Sequence, residues 1–236
     1  MTQSTLAQPR VIRFSLAWTL QTILTIIYPV LTVLIAVRLV MTPLFLQIEY
    51  TRPGFPADYY GFTTEDRLNY APYAVHYLLN SEDIDFLGDL TFPDGNSLFN
   101  MRELQHMRDV KIVTQIAFLV AVIMGILVIL TAIYLYRVSR PTLLNGLRNG
   151  AVFTLVIILS IVIGAVFNWE YFFTAFHRIF FEDGTWMFLY SDTLIRLFPE
   201  QFWFDAALTI GGIVLITSLA TIALTTWRLR SSQRTR

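Results

Sequence analysis

The chain has 236 residues, 55% of them hydrophobic and only 14% charged, with a mean hydropathy of +0.57; a soluble domain carries about 25% charged residues, so a free soluble globule is excluded. It contains no cysteine, which excludes disulfides, thiolate catalysis and cysteine-ligated metals together. The formal net charge is zero, but the two signs are segregated along the chain.

The first charge-free run, Phe14 to Val37, lies between Arg13 and Arg38. It is longer than a signal-peptide core and no A-x-A pattern follows it, so it reads as a permanent helix spanning about 14–40, kinked at Pro29. Thr42 to Lys111 is long enough for a small folded subdomain. Leu44 to Tyr50 reads as a strand ended by Pro53-Gly54. Thr64 to Asn80 reads as a helix with Leu68, Ala71, Val75, Leu78 and Leu79 on one face, interrupted by Pro72. Asp85 to Phe92 and Ser97 to Phe99 flank Pro93-Asp94-Gly95-Asn96, a hairpin-turn signature. Asn100 with Glu103 three residues on predicts a capping box, and that helix should run directly into a second span over 112–136. A third span follows at 149–168. Glu170 to Asp205 then holds thirteen aromatic residues from Tyr171 to Phe204. Trp169 to Phe181 is expected to lie at the membrane interface, where Trp and Tyr keep one ring edge wet. Gly184 marks a turn, and a fourth span covers 206–227. The prediction is an all-α membrane protein in one domain, 1–236: four transmembrane helices with a small α/β extracytoplasmic subdomain between helices 1 and 2.

Orientation follows from charge. Arg10, Arg13, Arg137, Arg140, Arg148, Arg228, Arg230, Arg234 and Arg236 fall on one side of the runs, and all seventeen carboxylates fall on the other. The positive-inside rule assigns 1–13, 137–148 and 228–236 to the cytoplasm, and 42–111 and 169–205 to the extracytoplasmic side.

All three histidines lie in those extracytoplasmic segments. Glu103, His106 and Asp109 follow at i+3 steps and should share a helix face, where a carboxylate can fix an imidazole's tautomer and raise its basicity. The alternative is an exposed helix start of mixed charge. His106 sits roughly 9 Å above the apolar run, at headgroup depth. His177 lies at the same predicted depth among aromatics; it is a functional base or a snorkelling side chain. Equal depth does not establish that the two touch. His76 reads as structural. Asp192 and Arg196 are spaced i, i+4, as a local ion pair or a headgroup anchor. Arg38, at the outer end of the first span, either snorkels or pairs with a carboxylate. No P-loop, G-x-G-x-x-G, G-x-S-x-G or H-E-x-x-H pattern occurs. The spans are nearly free of ionisable groups, which argues against an ion pump.

Several runs carry a resemblance: Val37-Arg38-Leu39-Val40-Met41-Thr42-Pro43, Tyr60-Gly61-Phe62, Glu65-Asp66-Arg67-Leu68, and Asn100 to Lys111. The second half adds Ala175-Phe176-His177, Gly184-Thr185-Trp186, Ser191 to Pro199, and Phe202-Trp203. Together they resemble a bacterial four-span integral membrane family that includes the lipoprotein intramolecular transacylase (Lit). The resemblance implies an acyltransferase on the outer face of the cytoplasmic membrane. Its partners would be diacylated bacterial lipoproteins and membrane lipids, with no nucleic acid, no cofactor and no metal. The reaction implied moves the sn-2 acyl chain of the diacylglyceryl group onto the α-amine of the N-terminal cysteine, giving lyso-form lipoprotein. Two catalytic histidines map onto His106 and His177. Glu103, Asp109, Arg38, Trp186, Asp192 and Arg196 are the expected supporting or substrate-binding residues.

The residues are compatible with that chemistry. The substrate brings both ester and amine, and holding them together supplies an effective molarity of about 10⁵–10⁸ M. One histidine suits the base, and a second histidine or Arg196 suits the oxyanion. The alternatives are an interfacial phospholipid or lipoprotein acyl hydrolase, and a non-catalytic membrane sensor in which the two histidines ligate haem.

Overall fold

The computed structural model describes residues 8–234, with side chains over 16–232. Of the same-side arginines, Arg236 lies outside the described residues, as do the side chains of Arg10, Arg13 and Arg234. In chain order the described helices are α1 (Gln8–Val40), α2 (Pro43–Thr51), α3 (Thr64–Leu79), α4 (Asp85–Gly88), α5 (Met101–Val138), α6 (Arg140–Phe167), α7 (Trp169–Phe180), α8 (Thr193–Leu197) and α9 (Glu200–Arg234). Four are long and apolar enough to cross a membrane: α1 over Leu16–Val40, α5, α6, and α9 over Glu200–Ser232. At 1.5 Å per residue the 38 residues of α5 measure about 57 Å, nearly twice a hydrocarbon core of about 30 Å. Its charge-free run starts at Ile112, and Met101 to Lys111 carries Arg102, Glu103, Arg108, Asp109 and Lys111. We therefore take those first three turns as lying outside the spanning segment.

Two compact units divide the chain. The first comprises the described residues up to Ala36, Val120–Ile161, and those from Gly211 onward. Its core is Ala17, Leu24, Leu135 and Leu143, with Leu20, Val128 and Leu147 packed against it. α1 and α6 approach closely because Gly146 and Gly150 present no side chain: a Cβ on Gly150 would lie 2.6 Å from Tyr28 Cβ. This small-x-x-x-small spacing lets helix backbones meet where no hydrophobic effect drives them together. Thr25 Oγ1 donates to the Gly146 carbonyl, and Tyr28 Oη shares a 2.7 Å hydrogen bond with Thr221.

The second unit, Val37–Leu119 with Val162–Ile210, corrects the α/β expectation. Leu44 to Tyr50 is not a strand but lies in α2. Thr42 caps this helix, accepting the Phe45 N–H, and Pro43 stands at its start. Phe45, Leu46, Glu49 and Tyr50 are buried together, a helical rather than a two-residue period. The expected hairpin reduces to one bridge, Thr91 with Ser97, around a turn in which Gly95 takes φ +84°. The residues before it coil into α4, so no sheet forms among the described residues. α3 runs on through Pro72, started by a Thr63–Asp66 capping box. α7 is capped by Asn168, which accepts the Tyr171 N–H, and none of its residues is fully buried.

Candidate active site

The site is built at the start of α5. Asn100 Oδ1 accepts the Arg102 and Glu103 backbone N–H groups, and Glu103 Oε2 accepts the Asn100 N–H at 2.8 Å, closing a capping box. The other Glu103 oxygen accepts the Leu194 N–H at 2.6 Å. This carboxylate, 1% exposed, thus caps α5 and α8 at once. Burial pushes its pKa up, opposed by the Leu194 and Asn100 backbone donors. The chain between α7 and α8 is pinned to the same spot. Arg102 Nη2 donates to the Met187 carbonyl at 2.6 Å, and Asn100 Nδ2 donates to Asp192. Asp192 in turn accepts the Leu189 N–H.

His106 lies one helical step beyond Glu103. Its ring stands edge-on to Phe181 and Phe188, at 5.1 and 5.4 Å between centroids. Its Nδ1 is buried and finds no partner among the described residues. Its pKa is lowered to about 4, mainly by burial and also by the nearby His177, with Asp109 partly opposing.

His177 comes from α7. Its Nδ1 pairs with the Phe173 carbonyl at 2.8 Å. A carbonyl only accepts, so Nδ1 carries the hydrogen, and in the neutral ring Nε2 keeps its lone pair free. The ring stacks on Trp186 at 4.6 Å and 29°, and packs on Phe173 at 4.1 Å and Phe181 at 6.0 Å. Burial lowers its pKa, with the Phe173 hydrogen bond acting the other way. Both imidazoles touch Phe181, so they are no further apart than their two distances to that ring taken together. Trp186 is 9% exposed and closes the enclosure.

The remaining expected residues are placed differently. Glu103 and Asp109 do not hydrogen-bond His106. Each i+3 step turns the helix face by about 60°, so the two carboxylates diverge; Glu103 points to α8, and Asp109 accepts from Gln105 Nε2. The Asp192–Arg196 pair does not form. Asp192 is the extended N-cap of α8 and turns back to Leu189. Arg196 instead donates to Asp58 at 3.0 Å and to the Tyr60 carbonyl, and lies 3.5 Å over the Phe62 ring. Its guanidinium is therefore engaged away from the imidazoles. Arg38 is exposed and donates to the Met41 carbonyl at its own helix end. His76 is exposed on α3. Among the described residues no group of three or more His, Asp or Glu is placed to hold a metal ion. Sequence reasoning did not single out Phe181, Phe188, Arg102 or Asp58. Aromatic density was visible in 169–204, but not which rings turn inward.

The comparisons agree with one another. A family model, lipoprotein intramolecular transacylase Lit, matches residues 22–203. An uncharacterised protein of Aquifex aeolicus is 29% identical over 204 residues, covering 84% of this chain and 92% of that one. The in meso structure of the membrane integral lipoprotein intramolecular transacylase Lit from Bacillus cereus has a TM-score of 0.78 at 19% identity, covering 93% of this chain and 99% of that one. A variant of that protein with a histidine replaced by arginine gives 0.74 at 16% identity, covering 97% and 99%. At such identities the likeness shows the fold, and with the four apolar helices it makes this a multi-pass membrane protein. The match over most of its length places the chain in the lipoprotein intramolecular transacylase Lit family.

Proposed function

We propose that this protein converts diacylated bacterial lipoproteins to the lyso form by intramolecular acyl transfer at the extracytoplasmic face of the cytoplasmic membrane, with both termini in the cytoplasm. The observation that carries this is the pair of imidazoles in one aromatic enclosure, each with a ring nitrogen left for substrate.

The α-amine of the N-terminal cysteine has an ordinary pKa near 8, so a fraction is neutral at physiological pH. Its nitrogen lone pair attacks the sn-2 ester carbonyl, and a tetrahedral centre forms. His177 Nε2 takes the proton from that nitrogen. The bond from the carbonyl carbon to the sn-2 oxygen breaks, and the imidazolium returns the proton to that oxygen. An amide and a free hydroxyl result, with no net proton, no water and no co-reactant. His106, held neutral by burial, supplies a hydrogen bond that orients the amine. The aromatic walls exclude water, which favours transfer over hydrolysis.

The test is expression in a bacterial strain lacking any enzyme that N-acylates lipoproteins, with mass spectrometry of lipoprotein N-terminal peptides. N-acylated peptides with one remaining O-acyl chain are expected from the wild type, and diacyl free-amine peptides from His177→Ala and His106→Ala. Wild-type peptides that keep both O-acyl chains overturn the proposal, and stoichiometric free fatty acid turns it into a hydrolase.

A further inference from the structure

Four buried side-chain polar atoms find no hydrogen-bond partner among the described residues: His106 Nδ1, Trp169 Nε1, Trp186 Nε1 and Ser218 Oγ. Buried donors are nearly always satisfied, so each such atom calls for an explanation. Ser218 belongs to the apolar α9. Trp169 packs on Phe172, Phe173 and Phe204 and touches neither imidazole. Trp186 differs on both counts. It is 9% exposed, and its ring lies 4.6 Å from the His177 ring, close to parallel.

An indole N–H donates and cannot accept, so the group that completes it must be an acceptor. Negative charge builds up first on the carbonyl oxygen and then on the leaving sn-2 oxygen; the second receives the imidazolium's proton, which leaves the carbonyl oxygen in need of a donor. Arg102, Arg178 and Arg196 are engaged elsewhere, Arg102 with the Met187 carbonyl, Arg178 with Asp183, and Arg196 with Asp58 and the Tyr60 carbonyl. The chain that carries Trp186 is also held rigidly, by Arg102 at residue 187 and by Asn100 through Asp192. A fixed donor needs no reorganisation as charge develops, which is what makes such a group effective.

We propose that Trp186 is a further catalytic residue, its indole N–H donating to the ester carbonyl oxygen as that oxygen becomes an oxyanion; this rests on the transacylase reading. No bond is made or broken at Trp186. The carbonyl π electrons move onto the oxygen when the amine attacks and return when the bond to the sn-2 oxygen breaks. The indole face meanwhile lies against His177 as it becomes an imidazolium, a favourable cation–π arrangement. The two roles separate chemically, because phenylalanine keeps a face and has no N–H.

The purified full chain in detergent, with a synthetic dipalmitoylglyceryl-cysteine lipopeptide, provides the test. In Trp186→Phe, kcat is expected to fall roughly 10²–10³-fold, with KM and the shape of the pH profile unchanged. In ¹⁵N-indole spectra of the wild type, the Trp186 resonance (assigned by elimination, from the signals lost in Phe variants of the other four tryptophans) is expected to move downfield when the same lipopeptide with its amine acetylated is added. That probe keeps the ester and cannot react, so this second measurement holds even where the variant fails to fold. Wild-type kcat in Trp186→Phe, or an indole resonance unmoved at saturating probe, overturns the proposal while wild-type turnover leaves the transacylase reading standing. Absence of N-acyl product from the wild type overturns both.

Discussion

At the scale of single residues, the site is governed by what burial does to two imidazoles. His177 sits below its ordinary value because its charged form is poorly solvated among rings. The proposed reaction needs it neutral, and a lowered pKa keeps it neutral further into acid. The substrate amine, with a pKa near 8, should therefore set the first limb: the rate falls about tenfold per unit as pH drops below about 8. A second, steeper fall from protonation of His177 should appear only below pH 6.5. A pH–rate profile on the synthetic lipopeptide checks this; a second bend at or above 6.5 would show that the ring is not desolvated as the geometry requires. The histidines themselves were readable in sequence, being rare polar groups near the ends of apolar runs. The Phe181 wall was not, because it forms against His106 on a distant helix, and the Trp186 stack was not, because its segment is held in place by Arg102 bonding the Met187 carbonyl 85 residues away.

At the scale of elements, one carboxylate joins two helices. Glu103 satisfies backbone donors at the starts of both α5 and α8. Glu103→Ala leaves two backbone N–H groups without acceptors, at a cost of about 1–3 kcal/mol for each that stays buried. The expected result is a fall in thermal midpoint together with activity, whereas His177→Ala should lose activity at an unchanged midpoint. A melting curve and a turnover assay on both variants separate the cases. The capping box was legible from Asn100 and Glu103, since it is a local pattern. The second half of the role was not, because Leu194 lies 91 residues away. α2 was misread for a different reason. Its β-favouring residues suggested a strand, while Thr42-Pro43, a helix-start signature, carried the stronger information. At residues 91–97 the turn was legible in Pro93-Asp94-Gly95-Asn96, but the turn alone did not secure two strands, since Asp85–Gly88 closes its own helical hydrogen bonds first.

At the scale of the whole molecule, the apolar runs are the most legible feature, because a bilayer demands length and an absence of charge and asks little else of sequence. Helix ends were less legible: α5 and α9 extend several turns past their apolar runs on charged residues that are still good helix formers. The charge asymmetry predicts that a reporter fused after residue 236 is active only in the cytoplasm, and one inserted at Gly95 only outside; paired phosphatase and fluorescent-protein fusions measure this, and reversed activities would invert the proposed orientation. The pinning of residues 187–192 to the start of α5 has one further result. Trp186 and His106 are bolted to a common frame by directional hydrogen bonds. α7 meets that frame chiefly through ring faces, and ring faces slide where hydrogen bonds snap. The helix bearing His177 is therefore the wall with the fewest directional ties to the rest of the enclosure, held by stacking on Trp186 and packing on Phe181.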